Sequence, residues 1–289
     1  MKKKIKDISI VLISYKSSTK LIKFLKKIPK DTPVLVIDNS KDYKLKEIFK
    51  KNKNVSIFFK KNMGYGSSIN YAVAKIKTNY FFVIQPDVRG INEKSLITFY
   101  DYAKKLNDKF SVIGPHFLRA SKKGHFQTNI KHDIKKIHNV HGSTIFFNKK
   151  IFLKNGKFDA KIFLYWEETD YTKRAAKNGY FAYQLNKVKV YHEKGKAVEV
   201  RNIKENDKLE NLYTWHFIWS KFYYFKKHYG FSFSIMYFIP IIFRIIFRIL
   251  YYKIKNDKRQ FKYYSRWDGL KSSILNKNSY MRLNKIKIE

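Results

Sequence analysis

Four short apolar runs in the first third of the chain constrain its fold more than any other feature of the sequence. Each run is rich in β-branched and aromatic residues and has no consistent polar face, which is typical of a strand buried on both sides in a parallel sheet. A helical stretch near residues 18–28 separates the first two runs. This alternation predicts an α/β fold with a doubly wound, mostly parallel sheet, whose ligands bind beyond the carboxyl ends of the strands. The runs are Ile8–Ser14, Pro33–Asp38, Val55–Phe59 and Tyr80–Ile84.

Polar side chains stand at the points where three of these predicted strands end. Ligands of a doubly wound sheet bind beyond the carboxyl ends of its strands, so these positions are candidates for ligand contact. An acid just past a buried strand is well placed to hold a divalent cation against a diphosphate. The residues are Ser14 and Tyr15 at the end of the first run, Asp38 and Asn39 at the end of the second, and Gln85 and Asp87 after the fourth.

A glycine-containing segment between the third and fourth runs predicts a loop that leads into a helix. Gly64 and Gly66 let the backbone approach a ligand closely, and the first turn of the helix offers free amide donors to a phosphate. Asn62 and Asn70 mark the ends of this segment. A plain loop before a helix explains the two glycines equally well, so this pattern alone leaves phosphate binding open.

Three carboxylates, those of Glu167, Glu168 and Asp170, lie close together further along the chain. Carboxylates this close repel one another, so the arrangement needs a metal, a bound hydroxyl or basic neighbours to neutralise it. Lys173 and Arg174 follow the cluster after two intervening residues. A solvated first turn of a helix, where acidic residues are favoured, is the alternative interpretation.

The charge balance restricts the class of partner. Lysine and arginine number 62 against 22 acidic residues, giving a formal net charge of +40, which calls for nucleic acid, an anionic membrane surface or a phosphorylated substrate. The lysines are scattered and form neither an arginine-rich arm nor a helix-turn-helix pattern, as base reading would require. We therefore expect no nucleic-acid partner. The absence of cysteine fits a reducing compartment.

The last third of the chain is aromatic, basic and helical in pattern. Residues 231–252 form a long apolar stretch interrupted by Pro240, Arg244 and Arg248. The stretch is about long enough to span a bilayer, but two arginines near its end make a spanning position costly. We expect a helix in the interface of an anionic membrane, with a buried helical hairpin and a spanning helix as alternatives. The predicted domains are a catalytic domain, residues 1–205, and a membrane-associated helical extension, residues 206–289.

The order of motifs along the chain is more specific than any one of them. They are Ile13–Tyr15, Val36–Ser40, Asn62–Asn70, Gln85–Asp87, Gly142–Thr144, Phe158–Asp159, Tyr165–Asp170, and His192 with Gly195. This order resembles that of the inverting, nucleotide-sugar-dependent glycosyltransferases of family 2. Among them it is similar to the rhamnosyltransferase-like bacterial enzymes of surface polysaccharide synthesis, such as capsule or O-antigen. The resemblance covers roughly residues 7–230.

The resemblance implies a GT-A fold and a nucleotide diphosphate sugar as the donor. Asp38 would contact the nucleotide base or ribose, and the segment Asn62–Asn70 would help to hold the nucleotide. Asp87 would be the principal ligand of Mg²⁺ or Mn²⁺, with His192 near the metal or diphosphate, although an ordinary histidine at a strand end is the alternative. Family members usually carry asparagine or aspartate where this chain has Gln85, so phosphates and water would complete the metal shell. The other predicted donor contacts are Ser14, Tyr15, Asn39, Gly64 and Gly66.

The resemblance also implies the catalytic roles within the acidic cluster. Glu168 stands where the family has its catalytic aspartate, and would act as the base that takes a proton from the acceptor hydroxyl as it attacks the anomeric carbon. Glu167 and Asp170 would share in binding the acceptor or orienting the base.

The acceptor side is predicted from three further residues. We expect His141 and Gly142 to line the donor-sugar or acceptor site, and Trp166 to offer an apolar face to a sugar ring or to pack beneath the acidic helix. The acceptor would be a saccharide or a polyprenyl-diphosphate-linked saccharide. Because the C-terminal region is aromatic and basic, we expect the protein to be peripheral or monotopic at the cytoplasmic face of the cell membrane.

Two other functions stay open. A GT-A-like protein without activity would bind a nucleotide or scaffold an assembly, and the departures at Gln85 and Glu168 are consistent with that. A nucleotidyltransferase uses a similar sheet but needs a glycine-rich phosphate loop directly after the first strand. This chain has Ser14–Ser18 there, without glycine.

Overall fold

The computed structural model describes residues 2–118, 132–193, 198–200 and 202–286, so Gly195 of the last motif lies outside the described residues. The chain forms two compact units. The first comprises residues 1–159 and 168–199, and the second comprises residues 160–167 and 200–289. The division into domains at residue 205 stays a prediction, because compactness alone does not define a functional domain.

The described residues of the first unit form one mixed sheet, which confirms the predicted α/β class. The strands are β1 Ile8–Ser14, β2 Val34–Asp38, β3 Val55–Phe59, β4 Tyr80–Ile84, β5 Val88–Arg89, β6 Val112–Phe117, β7 Ile134–Ile137, β8 Thr144–Asn148 and β9 Ala182–His192. Their order is β3-β2-β1-β4-β8-β6-β9-β5, with β7 also pairing with β9. The half from β3 to β4 is parallel, whereas β8 runs antiparallel to both β4 and β6.

Helices cover both faces of this sheet. They are α1 Lys2–Lys6, α2 Ser18–Leu25, α3 Lys44–Ile48, α4 Tyr65–Val73, α5 Glu93–Lys105, α6 Lys149–Lys154 and α7 Glu167–Lys177. Successive residues of β1 enter opposite cores: Ile10 and Leu12 pack with α2 and α5, and Val11 packs with α4 and α7. Because side chains alternate across a strand, a strand buried on both faces is mostly apolar on both, which explains why these runs have no polar face.

Within the described residues of the second unit, three long helices pack around a small core. They are α8 Ile203–Tyr229, α9 Phe231–Ile254 and α10 Arg259–Ile274, and a 3₁₀ turn at Leu283–Lys285 follows. The helix α8 begins at Ile203, ahead of the aromatic residues that mark the rest of it in the sequence. Its first turns are polar and carry no apolar signal, and the Asn202 side chain caps them by accepting from the backbone N–H of Glu205 at 2.9 Å.

The helices α8 and α10 approach closely at Gly269. A β-carbon on Gly269 would lie 2.5 Å from the carbonyl oxygen of Trp215, so only glycine fits at this position. The Trp215 indole donates to the Asp268 carboxylate at 2.7 Å, and His216 donates to the carbonyl of Met281 at 3.0 Å. Burial lowers the pKa of His216 to about 3, so this imidazole is neutral and structural.

Candidate active site

The first unit gathers the ends of its central strands at one edge of the sheet, as the sequence predicts. Ser14 and Asp38 are register partners at the carboxyl ends of β1 and β2. Just past the end of β4, the backbone N–H of Gln85 donates to the carbonyl of Ser143 at 2.8 Å. The loop before β8 therefore lies beside the segment that carries Asp87.

Asp87 and His192 meet at this edge. Their Oδ2 and Nε2 atoms are 3.3 Å apart, because the short strand β5 places Val88 opposite His192. Asp87 is only 5% exposed. Among the described residues, neither carboxylate oxygen of Asp87 and neither ring nitrogen of His192 has a hydrogen-bond partner.

The orphaned atoms of this pair fit a divalent cation. Buried polar atoms without partners are costly, and such groups are found where a ligand or ion completes them. A carboxylate oxygen and an imidazole nitrogen are both ligands that Mn²⁺ accepts. Within the described part of the chain, no group of three or more His, Asp or Glu residues is gathered to hold a metal. Asp87 and His192 would therefore need donor phosphates and water to complete a metal shell, as the uncharged Gln85 predicts.

His141 extends this pair towards the loop before β8. Its ring lies 5.1 Å from the ring of His192 and 4.7 Å from that of Phe117. The His141 Nδ1 atom is 2.8 Å from the Ser143 hydroxyl and accepts from the Ser143 backbone N–H at 3.3 Å. Because Nδ1 accepts, it carries no proton, and the ring proton of the neutral form is on Nε2.

Glu168, near the start of α7, lies directly against Gly142 in the same loop. A β-carbon on Gly142 would be 3.5 Å from the carboxyl carbon of Glu168 and 3.6 Å from both carboxylate oxygens. Glycine therefore leaves open the space in front of this carboxylate. The hydroxyl of Tyr65 donates to the Gly142 carbonyl at 2.7 Å. This bond connects the first residue of α4 to the loop that lies against Glu168.

The surroundings of Glu168 change its acidity. Burial raises the pKa of the Glu168 carboxyl to about 7, and a hydrogen bond from its own backbone N–H opposes this rise only in part. The side chain keeps some solvent-accessible surface although it lies in dense protein surroundings. A carboxyl with a pKa near neutrality is divided between its acid and base forms at physiological pH, which is the property of a general base.

Asp170 is neutralised by a basic neighbour. The Nε of Arg174, one turn later on α7, donates to Asp170 Oδ2 at 2.9 Å, and Asp170 is fully buried. The same guanidinium donates to the carbonyls of Asn155 and Lys157. This pairing gives Asp170 a structural function in holding α7 to the loop after α6, and its share in the chemistry stays a prediction.

Glu167 and Trp166 belong to the second unit. The Trp166 ring packs within that unit against Phe217, Tyr224 and Phe225 of α8. The backbone at Tyr165 and Trp166 is left-handed, with φ of 67° and 72°, a strained conformation for two successive aromatic residues. The contact of Trp166 with a sugar ring, and the share of Glu167 in binding the acceptor or orienting the base, stay predictions.

The glycine loop before α4 has the predicted form. Gly64 has a φ of 90° and stands as the N-cap of the helix, and its N–H donates to the Asn62 side chain at 3.1 Å. Gly66 is buried within the first turn. The amide of Asn70 is bonded on both sides to the backbone of Phe158, at 2.9 and 3.1 Å. Asn70 therefore braces the helix, and its contact with nucleotide stays a prediction.

The polar residues at the carboxyl ends of β1 and β2 stabilise the turns that follow these strands. Asp38 accepts from the Ser40 hydroxyl at 2.8 Å and from the backbone N–H of Asp42 at 2.7 Å. The Asn39 side chain donates to the Ser68 hydroxyl of α4 at 3.0 Å. These hydrogen bonds fix the backbone at the carboxyl end of β2, where nucleotide binding is predicted. The hydroxyl of Ser14 lies 3.1 Å from that of Ser17, before α2, and Tyr15 between them is partly exposed.

Two residues of this edge were missed by the sequence interpretation. Tyr65 stands inside the glycine motif, in which the glycines carry the signal and a tyrosine hydroxyl carries none. Glu199 accepts from the backbone N–H of Lys20 at 3.2 Å and caps α2, and the Glu199 N–H donates to the Lys16 carbonyl at 2.7 Å. Nothing in the local sequence signals a cap that comes from so far along the chain.

No family model matches the chain. It is 23% identical over 208 residues to the low-salt glycan biosynthesis hexosyltransferase Agl10 of Haloferax volcanii, covering 64% of this chain and 67% of that protein. This identity is a distant similarity.

Solved structures share the fold. S. aureus TarS 1-349 superposes with a TM-score of 0.54 at 14% identity, over 93% of this chain and 90% of that one. The mannosyltransferase PcManGT of Pyrobaculum calidifontis, solved with GDP-Man and Mn²⁺, superposes with a TM-score of 0.54 at 10% identity. The match covers 94% of this chain and 88% of PcManGT. GalNAc-T7, solved with UDP, GalNAc and Mn²⁺, superposes with a TM-score of 0.54 at 12% identity. The match covers 75% of this chain and 49%, about half, of GalNAc-T7. The chain thus has the GT-A-like α/β fold of glycosyltransferases.

Proposed function

We propose that the protein is an inverting glycosyltransferase that moves a hexosyl group from a nucleotide diphosphate sugar to a saccharide or lipid-linked saccharide in glycan biosynthesis. The observation that carries this proposal is the arrangement of two acidic sites at one sheet edge. The Asp87–His192 pair has orphaned ligand atoms, and Glu168 has a pKa raised to about 7. The Gln85–Ser143 bond and the His141–His192 contact connect the two sites.

The donor is supported by the fold and by the neighbours. TarS 1-349 has been crystallised with UDP and with UDP-GlcNAc, and PcManGT with GDP-Man. In this chain the amide donors at the start of α4 and the turn held by Asp38 would receive the nucleotide and its phosphates. Asp87 and His192 would hold the divalent cation. When bound, this cation would neutralise negative charge on the diphosphate.

Glu168 would be the base of the transfer. The acceptor oxygen forms a bond to the anomeric carbon while the bond from that carbon to the diphosphate oxygen breaks. Attack from the side opposite the leaving group inverts the configuration, and the acceptor proton passes to the Glu168 carboxylate. The products are the glycoside and the nucleoside diphosphate.

Finer assignments follow from the motif order alone. The resemblance favours family 2, and within it a rhamnosyl donor and surface polysaccharide such as capsule or O-antigen. An inactive GT-A-like nucleotide-binding or scaffold protein is the second candidate. The feature that favours it is the pair of departures at Gln85 and Glu168.

The two candidates are separated by measuring binding and turnover on the same protein. Thermal-shift screening with UDP, TDP and GDP sugars, with and without Mn²⁺, identifies the donor, because a ligand that binds the native state stabilises it by mass action. Nucleotide release is then followed with saccharide acceptors. We expect Glu168→Gln to bind the donor and lose transfer, while Glu47→Gln, an exposed surface change, keeps both. Donor binding without turnover in the wild-type protein would support the scaffold candidate instead.

A further inference from the structure

The helix α9 leaves most of its apolar surface uncovered in the second unit. Its buried seam is narrow: Ser234, Phe238, Ile245 and Tyr252 are the buried residues of 24. It is long and apolar enough to cross a membrane, and within the described part of the chain no other helix passes that test. The exposed large hydrophobic residues of the helix are Phe231, Phe233, Met236, Tyr237, Ile239, Phe243, Ile246, Phe247, Leu250, Tyr251 and Ile254.

Helical periodicity divides α9 into three stripes. The seam recurs at helical spacing, and its residues Phe238 and Ile245 pack into the core with α8 and α10. Phe243, Phe247 and Leu250 lie on the opposite side, since they are about half a turn away from the seam residues in the helical projection. Arg244 and Arg248 lie on the flank between these two stripes.

Further cations stand beside this flank. The Arg248 guanidinium donates to the Tyr252 hydroxyl at 3.1 Å, and the Arg259 guanidinium lies 4.5 Å from the centre of the same ring. Burial lowers the pKa of Arg266 on α10, and the positive charge of Arg244 nearby lowers it further. We call Arg244, Arg248, Arg259 and Arg266 the basic flank.

The basic flank carries more positive charge than its own acids neutralise. Asp257 pairs with Arg259 at 2.6 Å. The positive charge of Arg244 lies close enough to Arg266 to lower the pKa of Arg266, because like charges repel. Cations held together beside apolar surface favour an anionic, amphipathic partner.

We propose that the uncovered face of α9, with its basic flank, is a docking surface for an anionic phospholipid bilayer and lies in the plane of the membrane interface. Apolar side chains such as Phe243 and Phe247 enter the boundary between headgroups and acyl chains, and the arginines contact lipid phosphates. The formal net charge of +40 on the whole chain also attracts the protein to an anionic membrane surface. This interaction is separate from sugar transfer and does not depend on it.

Two other occupants fit the observations less well. If α9 spanned the membrane, Arg244 and Arg248 would enter the hydrocarbon, which is costly. The packing of α8 and α10 against the buried seam of α9 would also have to be broken. A second copy of the chain seated symmetrically on this face would bring two basic flanks together, and their charges would repel.

Vesicle sedimentation with the full chain tests the proposal. The vesicles contain phosphatidylcholine alone, or phosphatidylcholine and phosphatidylglycerol in equal parts. We expect binding to the anionic vesicles that weakens as salt rises, because the arginines contribute electrostatically. The double variant Phe243→Ser/Phe247→Ser should bind at least about tenfold more weakly, since two apolar side chains no longer enter the lipid. Arg244→Gln/Arg248→Gln should lose affinity for the anionic vesicles and much of the salt dependence.

Controls separate docking from misfolding and from the other occupants. Tyr43→Ser removes an exposed aromatic ring of the first unit and should bind like the wild type, and circular dichroism should show equal helix content in all variants. Equal binding by wild type and Phe243→Ser/Phe247→Ser would overturn the proposal. So would resistance to extraction at alkaline pH, which indicates a spanning helix. Dimerisation in solution that the phenylalanine substitutions abolish would assign the face to a second copy.

Discussion

The carboxylate of Glu168 faces the α-carbon of Gly142, with both oxygens 3.6 Å from the place where a β-carbon would stand. The pair joins the first turns of α7 to the loop before β8, although the two residues are well separated in the chain. Because residue 142 is glycine, no side chain stands between this loop and the Glu168 carboxylate.

The raised pKa of Glu168 predicts a pH-dependent cost to folding. The unfolded carboxyl loses its proton near the ordinary pKa of 4.5, whereas the folded one keeps it until the pH approaches about 7. Within this window the folded state binds more protons, so stability falls as pH rises, and the cost above pH 7 is on the order of 3 kcal/mol. Glu168→Gln removes the titrating group. It should melt at a higher temperature than wild type at pH 8 and at a similar temperature near pH 4.5, with Glu47→Gln unchanged at both. A difference that is the same at both pH values would contradict this origin.

Replacing Gly142 by alanine tests whether the open space serves the chemistry. The new methyl would be in ordinary van der Waals contact with the Glu168 carboxyl group, so the free energy of unfolding should change by less than about 1 kcal/mol. Transfer should slow by at least about tenfold, because the methyl occupies the approach to the base. Separate measurement of kcat and the donor KM checks this, and the loss should fall on kcat. Full activity in Gly142→Ala would show that the acceptor does not approach from this side.

The strands of the parallel half could be predicted from the sequence because burial on both faces leaves a local signal. The run Ile8–Ser14 is the observed β1, and Tyr80–Ile84 is the observed β4. The glycine loop and its helix were likewise visible, since a left-handed residue such as Gly64 favours glycine.

The pairings that assemble the candidate site could not be predicted in this way. His192 reaches Asp87 through β5, a strand of two residues, which is too short for any periodic pattern. The bond from Tyr65 to Gly142 joins residues far apart in the chain, and local patterns contain no information on such contacts. The acidic cluster was recognisable, but its division into a buried ion pair at Asp170 and a perturbed acid at Glu168 depends on tertiary packing.

Asp87→Asn should separate metal binding from stability. Apart from the Nε2 atom of His192, which lies 3.3 Å from Oδ2, the buried wild-type carboxylate has no partner among the described residues, so a neutral amide of the same shape should change the melting temperature of the metal-free protein only slightly. Stabilisation by donor in the presence of Mn²⁺ should weaken by about tenfold or more, since a ligand of the cation is weakened. Titration of the donor with and without Mn²⁺, followed by thermal shift, measures both effects. Asp101→Asn, which changes a partly exposed partner of Lys4, is the matched control, and equal Mn²⁺ responses in the two variants would remove Asp87 from the metal site.

Arg174→Met should be the most destabilising of these changes. It leaves Asp170 buried without its ion pair and removes the donors to the carbonyls of Asn155 and Lys157, and breaking a buried pair in this way costs about 3–5 kcal/mol. The double variant Asp170→Asn/Arg174→Met also removes the buried negative charge and should recover part of the loss. Urea unfolding of both variants measures the difference, with Lys177→Met on the exposed part of α7 as the control. If the single substitution costs less than about 1 kcal/mol, the pair is not what neutralises the cluster, and Asp170 becomes a candidate for the chemistry after all.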